Sequence, residues 1–349
     1  METAPGNSAS KASGEAAPLA RAPWWGRGVR NGVTMGILAF AAFLLLSQGE
    51  LPGLGRVLVE LPAGIAISAA VHLPQILLTA IAWRCLLPAG MRPSAWVMIR
   101  LRWYRESANS LLPAGALLGQ AAAARLLTRH GVPADMAGAT ATVDMTLEAV
   151  SQLVFTLAGV ALLLAGGADD APAGLAVAGL AIAATGAVAM VVAQRHLGSL
   201  ERLLARRWPA LRREWMGHLH RAVLHLHMEW RGLMVSLLWH GAAWVLGTFE
   251  IMAVLGLLGQ PVSLAEALVI ESLAQALRNV GFMLPGALAA QEGAIVGAAA
   301  LVGVPPAAAL AVALVRRTRE VAFALPGLVA WHRSETAGPR TMMGVGGRK

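Results

Sequence analysis

The chain has 349 residues, of which 57% are hydrophobic and 13% charged, about half the charged fraction of a typical soluble domain. Its apolar residues form long uninterrupted blocks that match a hydrocarbon layer of about 30 Å, which excludes a soluble enzyme and a small disulfide scaffold. The net charge is +9, but the basic residues lie between the apolar blocks, as in cytoplasmic loops, so nucleic-acid binding is excluded as well. The composition predicts an all-α fold, that of a polytopic helical membrane protein.

The N-terminal segment, residues 1–28, is rich in Ala, Gly, Ser and Pro, which predicts a disordered cytoplasmic tail. Arg21, Arg27 and Arg30 directly precede or open the first apolar block, which predicts a retained helix rather than a signal peptide. We expect about six full spans of membrane length. Their predicted bounds are 29–47, 62–83, 133–165, 172–194, 233–258 and 305–331.

Two stretches between these spans, residues 92–130 and 261–303, do not fit a simple transmembrane helix. Each begins with an amphipathic helix, continues through a Pro/Gly break at Pro113 or Pro285, and ends in an apolar segment too short to span. A broken backbone is tolerated in a membrane only inside protein or along a water-filled cavity. The pattern therefore predicts two re-entrant hairpins.

The charges of the loops predict the orientation. Basic residues are concentrated in residues 84–105, in residues 195–231 and at the C-terminus, whereas the loop 48–61 is acidic. This distribution predicts that both termini are cytoplasmic. Segment 195–231 is predicted to be a basic amphipathic helix on the cytoplasmic surface, and residues 333–349 a second cytoplasmic tail.

The chain also repeats itself at one constant interval, the separation of Pro113 from Pro285, which we call the repeat interval. Leu112-Pro113 recurs as Leu284-Pro285, Gly131-Val132-Pro133 recurs as Gly303-Val304-Pro305, and small-residue pairs, Gly115/Gly119 and Gly293/Gly297, follow the two prolines. Chance recurrence in a chain rich in Ala, Gly and Leu is the alternative, but two matches at one interval favour an inverted repeat. Transporters built on such repeats hold their site between the halves. The predicted membrane domain, residues 29–332, then has halves 29–194 and 233–332, joined by 195–231.

Ionisable side chains fall near the centre of two predicted spans, where each costs at least about 2.5 kcal/mol unless it is paired or faces a cavity. The last span carries Arg316, Arg317, Thr318, Arg319 and Glu320. Span 133–165 carries Asp144 and Glu148, which are four residues apart and like-charged. We expect them to face Arg316 or Arg319 across the repeat interface. An alternative in which residues 316–320 form a loop is disfavoured, because each remaining half is too short to span.

The functional interpretation is a polar mid-membrane cavity whose arginines hold an anionic group, since the guanidinium fork donates two hydrogen bonds to a phosphate at once. The alternative is a purely structural network of ion pairs between helices. The candidate substrate-binding residues are Arg105, Glu106, Asn109, Pro113, Asp144, Glu148, Glu271, Arg278, Asn279, Pro285, Glu292, Arg316, Arg319 and Glu320. No nucleophile–base pair, metal-ligand set or Walker-type loop stands out, so no catalytic residue, metal or cofactor is predicted.

Two segments resemble a known family. The first is Arg105-Glu106-Ser107-Ala108-Asn109-Ser110-Leu111-Leu112-Pro113, and the second runs from Glu271 to Asn279 and on through Leu284-Pro285-Gly286-Ala287 and Gln291-Glu292-Gly293. Both are similar to the lysylphosphatidylglycerol synthase transmembrane region, the flippase-like family, and most similar to its hopanoid-biosynthesis-associated (HpnL) branch. The resemblance covers about residues 30–332. It implies a lipid-handling protein of the bacterial cytoplasmic (inner) membrane. It does not imply a synthase, because members that aminoacylate lipids carry a large soluble catalytic domain after the membrane part, and we expect this chain to lack one.

The lead functional hypothesis is a translocator, not driven by ATP, that moves hopanoids or phospholipids between leaflets. Two alternatives stay open: a membrane-embedded enzyme or subunit that modifies a lipid headgroup, with Glu271, Glu292 or Glu320 as base, and an assembly factor that positions hopanoid-biosynthesis enzymes through segment 195–231. The expected partners are anionic or polar-headed membrane lipids, hopanoids among them, and hopanoid-biosynthesis enzymes. The sequence does not predict an oligomeric state.

Overall fold

Helices account for all regular structure in the part of the chain that the structure describes, which confirms the predicted all-α class there. The computed structural model describes residues 51–112, 115–166, 214–281 and 287–336, with isolated positions between 181 and 192. Several predicted features lie outside these residues: the tail 1–28, the span 29–47, most of the span 172–194, most of segment 195–231, Pro113, Pro285 and the end of the C-terminal tail.

Nine α-helices and one short 3-10 turn, Ala89–Met91, make up the described residues. The helices are α1 (Leu51–Leu86), α2 (Ala95–Leu111), α3 (Gly115–Thr128), α4 (Ala134–Ala165), α5 (Glu214–Met228), α6 (Trp230–Leu257), α7 (Leu264–Gly281), α8 (Ala287–Ala300) and α9 (Pro306–Thr336).

Three helices are long and apolar enough to cross a membrane. They are Glu60–Leu86 within α1, Ala134–Ala165, which is α4, and Trp230–Leu257, which is α6. These helices match three predicted spans and support a multi-pass membrane protein, while the total number of spans stays a prediction.

The charged helix α9 runs without interruption from Pro306 to Thr336. Residues 316–320 therefore lie inside one helix and not in a loop between two shorter ones. At 1.5 Å per residue this helix is about 46 Å long, which is enough to cross a bilayer.

Two helix pairs stand where the re-entrant hairpins are predicted. Helix α2 packs against α3, and α7 packs against α8. Helix α7 begins with a capping box, in which the Ser263 N–H donates to Glu266 at 2.7 Å and the Glu266 N–H donates to Ser263 Oγ at 3.3 Å. That these pairs are re-entrant hairpins of an inverted repeat stays a prediction.

The helix boundaries follow the repeat interval seen in the sequence. Helices α3 and α8 begin at Gly115 and Ala287, which are separated by that interval, and the first residues of α4 and α9 are separated by the same interval. Between them the chain turns at Gly131 (φ 87°) and Gly303 (φ 77°), a left-handed conformation that glycine adopts without a steric penalty. The repeated Gly-Val-Pro sequence therefore encodes the same turn twice.

The packing of the helices follows the same correspondence. Helix α2 packs against α9, and its counterpart α7 packs against α4, so the first helix of each pair contacts the helix that follows the other pair. Helices α1 and α6 pack against each other, while α1 contacts α9 and α6 contacts α4.

Two apolar clusters form the core and leave a polar layer between them. One contains the C-terminal parts of α4 and α6 together with α7, α8 and the beginning of α9. The other contains the end of α1, the α2–α3 hairpin, the beginning of α4 and part of α5. On α4 and α9 the charged residues therefore lie between the two apolar clusters, near the middle of each helix.

Candidate functional site

A first cluster of buried charges joins α2, α4 and α6, and consists of Arg102, Arg105, Asp144, Glu148 and His240. Arg102 donates two hydrogen bonds to Glu148, at 2.6 and 3.2 Å, and Arg105 donates one at 2.5 Å. Asp144, which has no exposed surface, lies 3.5 Å from Arg102, 3.3 Å from Arg105 and 3.0 Å from Nε2 of His240. Residues three or four apart share a helix face, so α2 presents two arginines to the two acids of α4.

A second cluster joins α6, α7 and α9, and consists of Glu250, Glu271, Arg278, Arg316, Arg317, Arg319 and Glu320. At its buried end Arg316 donates to Glu271 at 2.8 Å and to Glu250 at 3.4 Å. The hydroxyl of Ser68, on α1, donates to the same oxygen of Glu250 at 2.6 Å. Arg319 also faces Glu250, at 3.7 Å.

At the other end of the second cluster, Glu320 accepts hydrogen bonds from Arg278 and Arg317, each at 3.3 Å. The side chain of Arg278 is 28% exposed, whereas that of Arg316 is 4% exposed. The Nε atoms of Arg317 and Arg319 are buried without a hydrogen-bond partner among the described residues. The first cluster has one such atom as well, Nε of Arg102, so the clearer difference is that the second cluster has a partly exposed arginine, Arg278.

His72 and Glu106 lie between the two clusters. Nε2 of His72 is 3.6 Å from Glu106, and the same ring is close enough to Arg319 and Glu250 to interact with both electrostatically. Glu106 in turn interacts electrostatically with Arg102 of the first cluster. The buried charges thus form a connected polar layer across the helices.

The two halves exchange the sign of some of their charges, although Arg278 of α7 and Glu320 of α9 keep the arrangement of the first cluster. In the first cluster the hairpin helix α2 supplies arginines and α4 supplies acids, whereas in the second α9 supplies arginines and the hairpin helix α7 supplies Glu271. Asp144 and Arg316, which are separated by the repeat interval, are the clearest example.

One expected pairing is wrong. Asp144 and Glu148 are bound by Arg102 and Arg105 of α2, and not by Arg316 or Arg319. The hairpin helix of the same half supplies the compensating charge, because α2 packs against α1 and presents its basic face to α4. Arg316 instead forms ion pairs with Glu250 of α6 and Glu271 of α7.

The remaining candidates fall in three groups. Arg278 and Glu271 belong to the second cluster, and Glu292 is near it, since Arg317, Glu320 and Arg278 all interact with its carboxylate. Asn109 is exposed on α2, outside both clusters. The side chain of Asn279, like Pro113 and Pro285, lies outside the described residues.

Residues that the sequence analysis missed complete both clusters. Glu250 is a lone acid in the middle of the predicted span 233–258, and the rule that ionisable residues inside a membrane mark function would have found it. His240 lies in the same span. Arg102 was assigned to a basic cytoplasmic loop, and only the packing of α2 shows that it is buried.

The arrangement suits an anion more than a metal. Within the described ranges, no group of three or more His, Cys, Asp and Glu side chains could hold a metal ion. The arginines are already paired with carboxylates, so an incoming anion would have to take the place of a carboxylate rather than fill an empty cationic site.

The family model described as "Lysylphosphatidylglycerol synthase TM region" matches residues 31–327. No curated protein and no solved structure matches the chain.

Proposed function

The chain belongs to the family of the lysylphosphatidylglycerol synthase TM region, and from this premise we propose that it is a flippase-like translocator of polar-headed lipids, hopanoids or phospholipids. Family membership and the apolar helices support a lipid-related, multi-pass membrane protein. The finer proposal is that a headgroup enters the polar layer between the two halves while the lipid tails stay in the bilayer. Both termini would be cytoplasmic, in a bacterial inner membrane.

The observation that carries the proposal is the connected layer of buried and half-buried arginines and carboxylates, whose acids Asp144, Glu148 and Glu250 lie within two long apolar helices, α4 and α6. Charges at that depth are expensive and typically mark a pathway or a binding site. A buried ion pair adds little stability compared with apolar residues of similar size, so stability alone does not account for such a layer. A polar-headed lipid needs polar groups at this depth in order to cross.

We assign the headgroup contact to the accessible end of the second cluster. The shortest hydrogen bonds to Glu148, from Arg105 and Arg102, are 2.5 and 2.6 Å long, whereas the bonds from Arg278 and Arg317 to Glu320 are each 3.3 Å long. Each of these two guanidinium groups keeps donors for a further acceptor. A phosphate at this end would replace Glu320 as the partner of Arg278, in a bidentate contact.

The test is translocation by the purified protein in vesicles that contain fluorescent phosphatidylglycerol or a fluorescent hopanoid polyol. We expect Arg278→Ala to slow the appearance of the probe in the opposite leaflet at least about tenfold, the loss that follows when a charged hydrogen bond of about 1.5 kcal/mol or more is removed. Arg278→Lys keeps the charge but not the fork, and is expected to retain part of the rate. Arg221→Ala, at an exposed position of α5, is the matched control.

Unchanged transport of both probes in Arg278→Ala would contradict the proposed headgroup site. Absence of transport by the wild-type protein with either probe would contradict the translocator itself.

One observation favours the enzymatic alternative. Oε2 of Glu292 is buried and has no hydrogen-bond partner among the residues described, and a carboxylate in that state suits a general base. In the same vesicle experiment, chemical conversion of the lipid probe that Glu292→Gln abolishes would favour headgroup modification, whereas chemically intact lipid after transport favours translocation.

A further inference from the structure

Both ring nitrogens of His72 face a hydrogen-bond acceptor. Nδ1 lies 3.2 Å from Oε1 of Gln75, and Nε2 lies 3.6 Å from Oε1 of Glu106. The amide of Gln75 has a fixed orientation because its Nε2 donates to the carbonyl of Ala243 at 3.0 Å. The amide oxygen is therefore the atom turned toward His72.

A neutral imidazole donates through only one of its two nitrogens. When Nδ1 carries the hydrogen and donates to Gln75, the Nε2 of the neutral ring turns a lone pair toward the Glu106 carboxylate. A proton on Nε2 converts that contact into an ion pair between the imidazolium and the carboxylate, at 3.6 Å. The geometry around His72 is therefore suited to the gain of one proton.

Charged groups face His72 from the helices around α1. Helix α2 contributes Glu106, α6 contributes Glu250, and α9 contributes Arg319 together with the ring of Phe323, whose centroid is 5.8 Å away. Helix α4, which also packs against α1, carries Asp144 and Glu148, and both are bound by Arg102 and Arg105.

The pair has one buried and one accessible member. The side chain of His72 is 10% exposed, whereas that of Glu106 is 36% exposed. Glu106 is therefore the more open side of the pair, from which a proton would approach Nε2.

We propose that His72, with Glu106, binds the proton that is coupled to lipid movement, an inference that rests on the translocation proposed above. A proton from water forms an N–H bond at Nε2 and converts the imidazole into an imidazolium. When that N–H bond breaks, the proton returns to water on either side of the membrane. No electrons are transferred, and no co-reactant other than the proton is needed.

The coupling acts through Arg319. Its ion pair with Glu250, at 3.7 Å, is longer than those of Arg316, at 2.8 and 3.4 Å. An imidazolium at His72 attracts Glu250 and repels Arg319, so it weakens this pair and turns Arg319 toward Glu320, with which it also interacts electrostatically. Arg319 then competes with Arg278 for Glu320 and leaves Arg278 freer to bind the headgroup. One proton and one monoanionic headgroup then occupy the polar layer together without a change of net charge.

The first experiment measures the proton directly. The full chain, labelled with 15N-histidine, is placed in nanodiscs and its imidazole signals are followed from pH 5 to pH 9. Among the titrating signals we expect one that disappears in His72→Gln. The same signal should remain in His225→Gln, a change at an exposed position of α5. If the signal assigned to His72 does not titrate in this range, the proposal is overturned.

The second experiment measures the coupling, with fluorescent phosphatidylglycerol in vesicles that carry a pH gradient. We expect the gradient to change the wild-type translocation rate at least threefold, and His72→Gln and Glu106→Gln to lose that response while His225→Gln keeps it. If His72→Gln fails to fold, the response of Glu106→Gln to the gradient decides whether the pair couples the proton to translocation. If the wild-type rate is the same with and without the gradient, the coupling alone is overturned. If no translocation occurs at any pH, the proposed function is overturned, and the titration of His72 is decided by the first experiment.

Discussion

Arg102 donates two hydrogen bonds to Glu148 and also contacts Asp144, from a side chain that is only 6% exposed. Removing one member of a buried ion pair leaves an uncompensated charge, whereas replacing the whole pair with apolar residues is close to neutral. The stability of the first cluster therefore depends on matched charges and not on the mere presence of an ion pair.

We expect Arg102→Met to lower the free energy of unfolding by about 3–5 kcal/mol, because it leaves Glu148 and Asp144 with less positive charge in a buried site. Denaturant titration of the purified protein in detergent micelles measures the change. Arg102→Met combined with Glu148→Met is expected to recover part of the loss, and Arg221→Met, at an exposed site, to cost less than about 1 kcal/mol. A single variant as stable as Arg221→Met would show that the first cluster is not a buried charge network.

Residue spacing predicted which side chains are buried and charged better than it predicted their partners. Asp144, Glu148, Arg316, Arg319 and Glu320 follow from charges at the centres of apolar spans, and the structure buries or half-buries each of them. Their partners depend on how α2 and α7 pack, and pairing across helices is not encoded in the spacing along either one. Arg102 shows the limit, because in the sequence it is one of several arginines in a basic stretch.

At the scale of elements, the two small-residue pairs that look alike in sequence differ in the structure. A Cβ added at Gly119 would lie 2.7 Å from the backbone oxygen of Arg105, so α3 approaches α2 at this residue. A Cβ at Gly297 would meet nothing within 4 Å. The two helix pairs correspond in their boundaries. At the glycine pairs, however, α3 lies close against its partner α2, whereas α8 leaves open space at Gly297.

We therefore expect alanine to have opposite effects on stability at these two glycines. Gly119→Ala must push a backbone carbonyl aside and is expected to destabilise the protein by about 1–3 kcal/mol. Gly297→Ala meets no obstacle in the interior of α8 and is expected to be neutral or to stabilise by about 0.5–1 kcal/mol, since alanine favours the helix. The thermal unfolding midpoint in detergent distinguishes them, and equal midpoints for the two variants would show that α2 and α3 do not pack as described.

For the whole molecule, the repeat interval accounts for helix boundaries, turns and helix contacts. The C-terminal ends of the corresponding helices α4 and α9 nevertheless differ. The end of α9 is tied to the first hairpin: Arg129 donates to the Ser334 carbonyl at 2.6 Å and to Glu335 at 3.2 Å, and Arg125 pairs with Glu335. The positions that correspond to these four at the repeat interval are Gly297, Leu301, Leu162 and Leu163, which cannot form ion pairs. A sequence repeat predicts shared topology, and this asymmetry depends on the residues in which the halves differ.

We therefore expect Glu335→Ala to loosen one end of the molecule and leave the other unchanged. Exposed ion pairs contribute about 0.2–1 kcal/mol each, so the loss of two pairs should raise amide hydrogen exchange about 2- to 30-fold in residues 329–336 and 124–129. Exchange in residues 160–165, at the corresponding end of α4, should not change. The control Glu229→Ala, at an exposed position beside α6, should change neither region.

High salt should reproduce part of the effect in the wild-type protein, because the side chain of Arg125 is 57% exposed and its charge is open to screening. Equal changes at both ends would mean that the ion pairs at Glu335 do not hold one end of the helix bundle more firmly than the other.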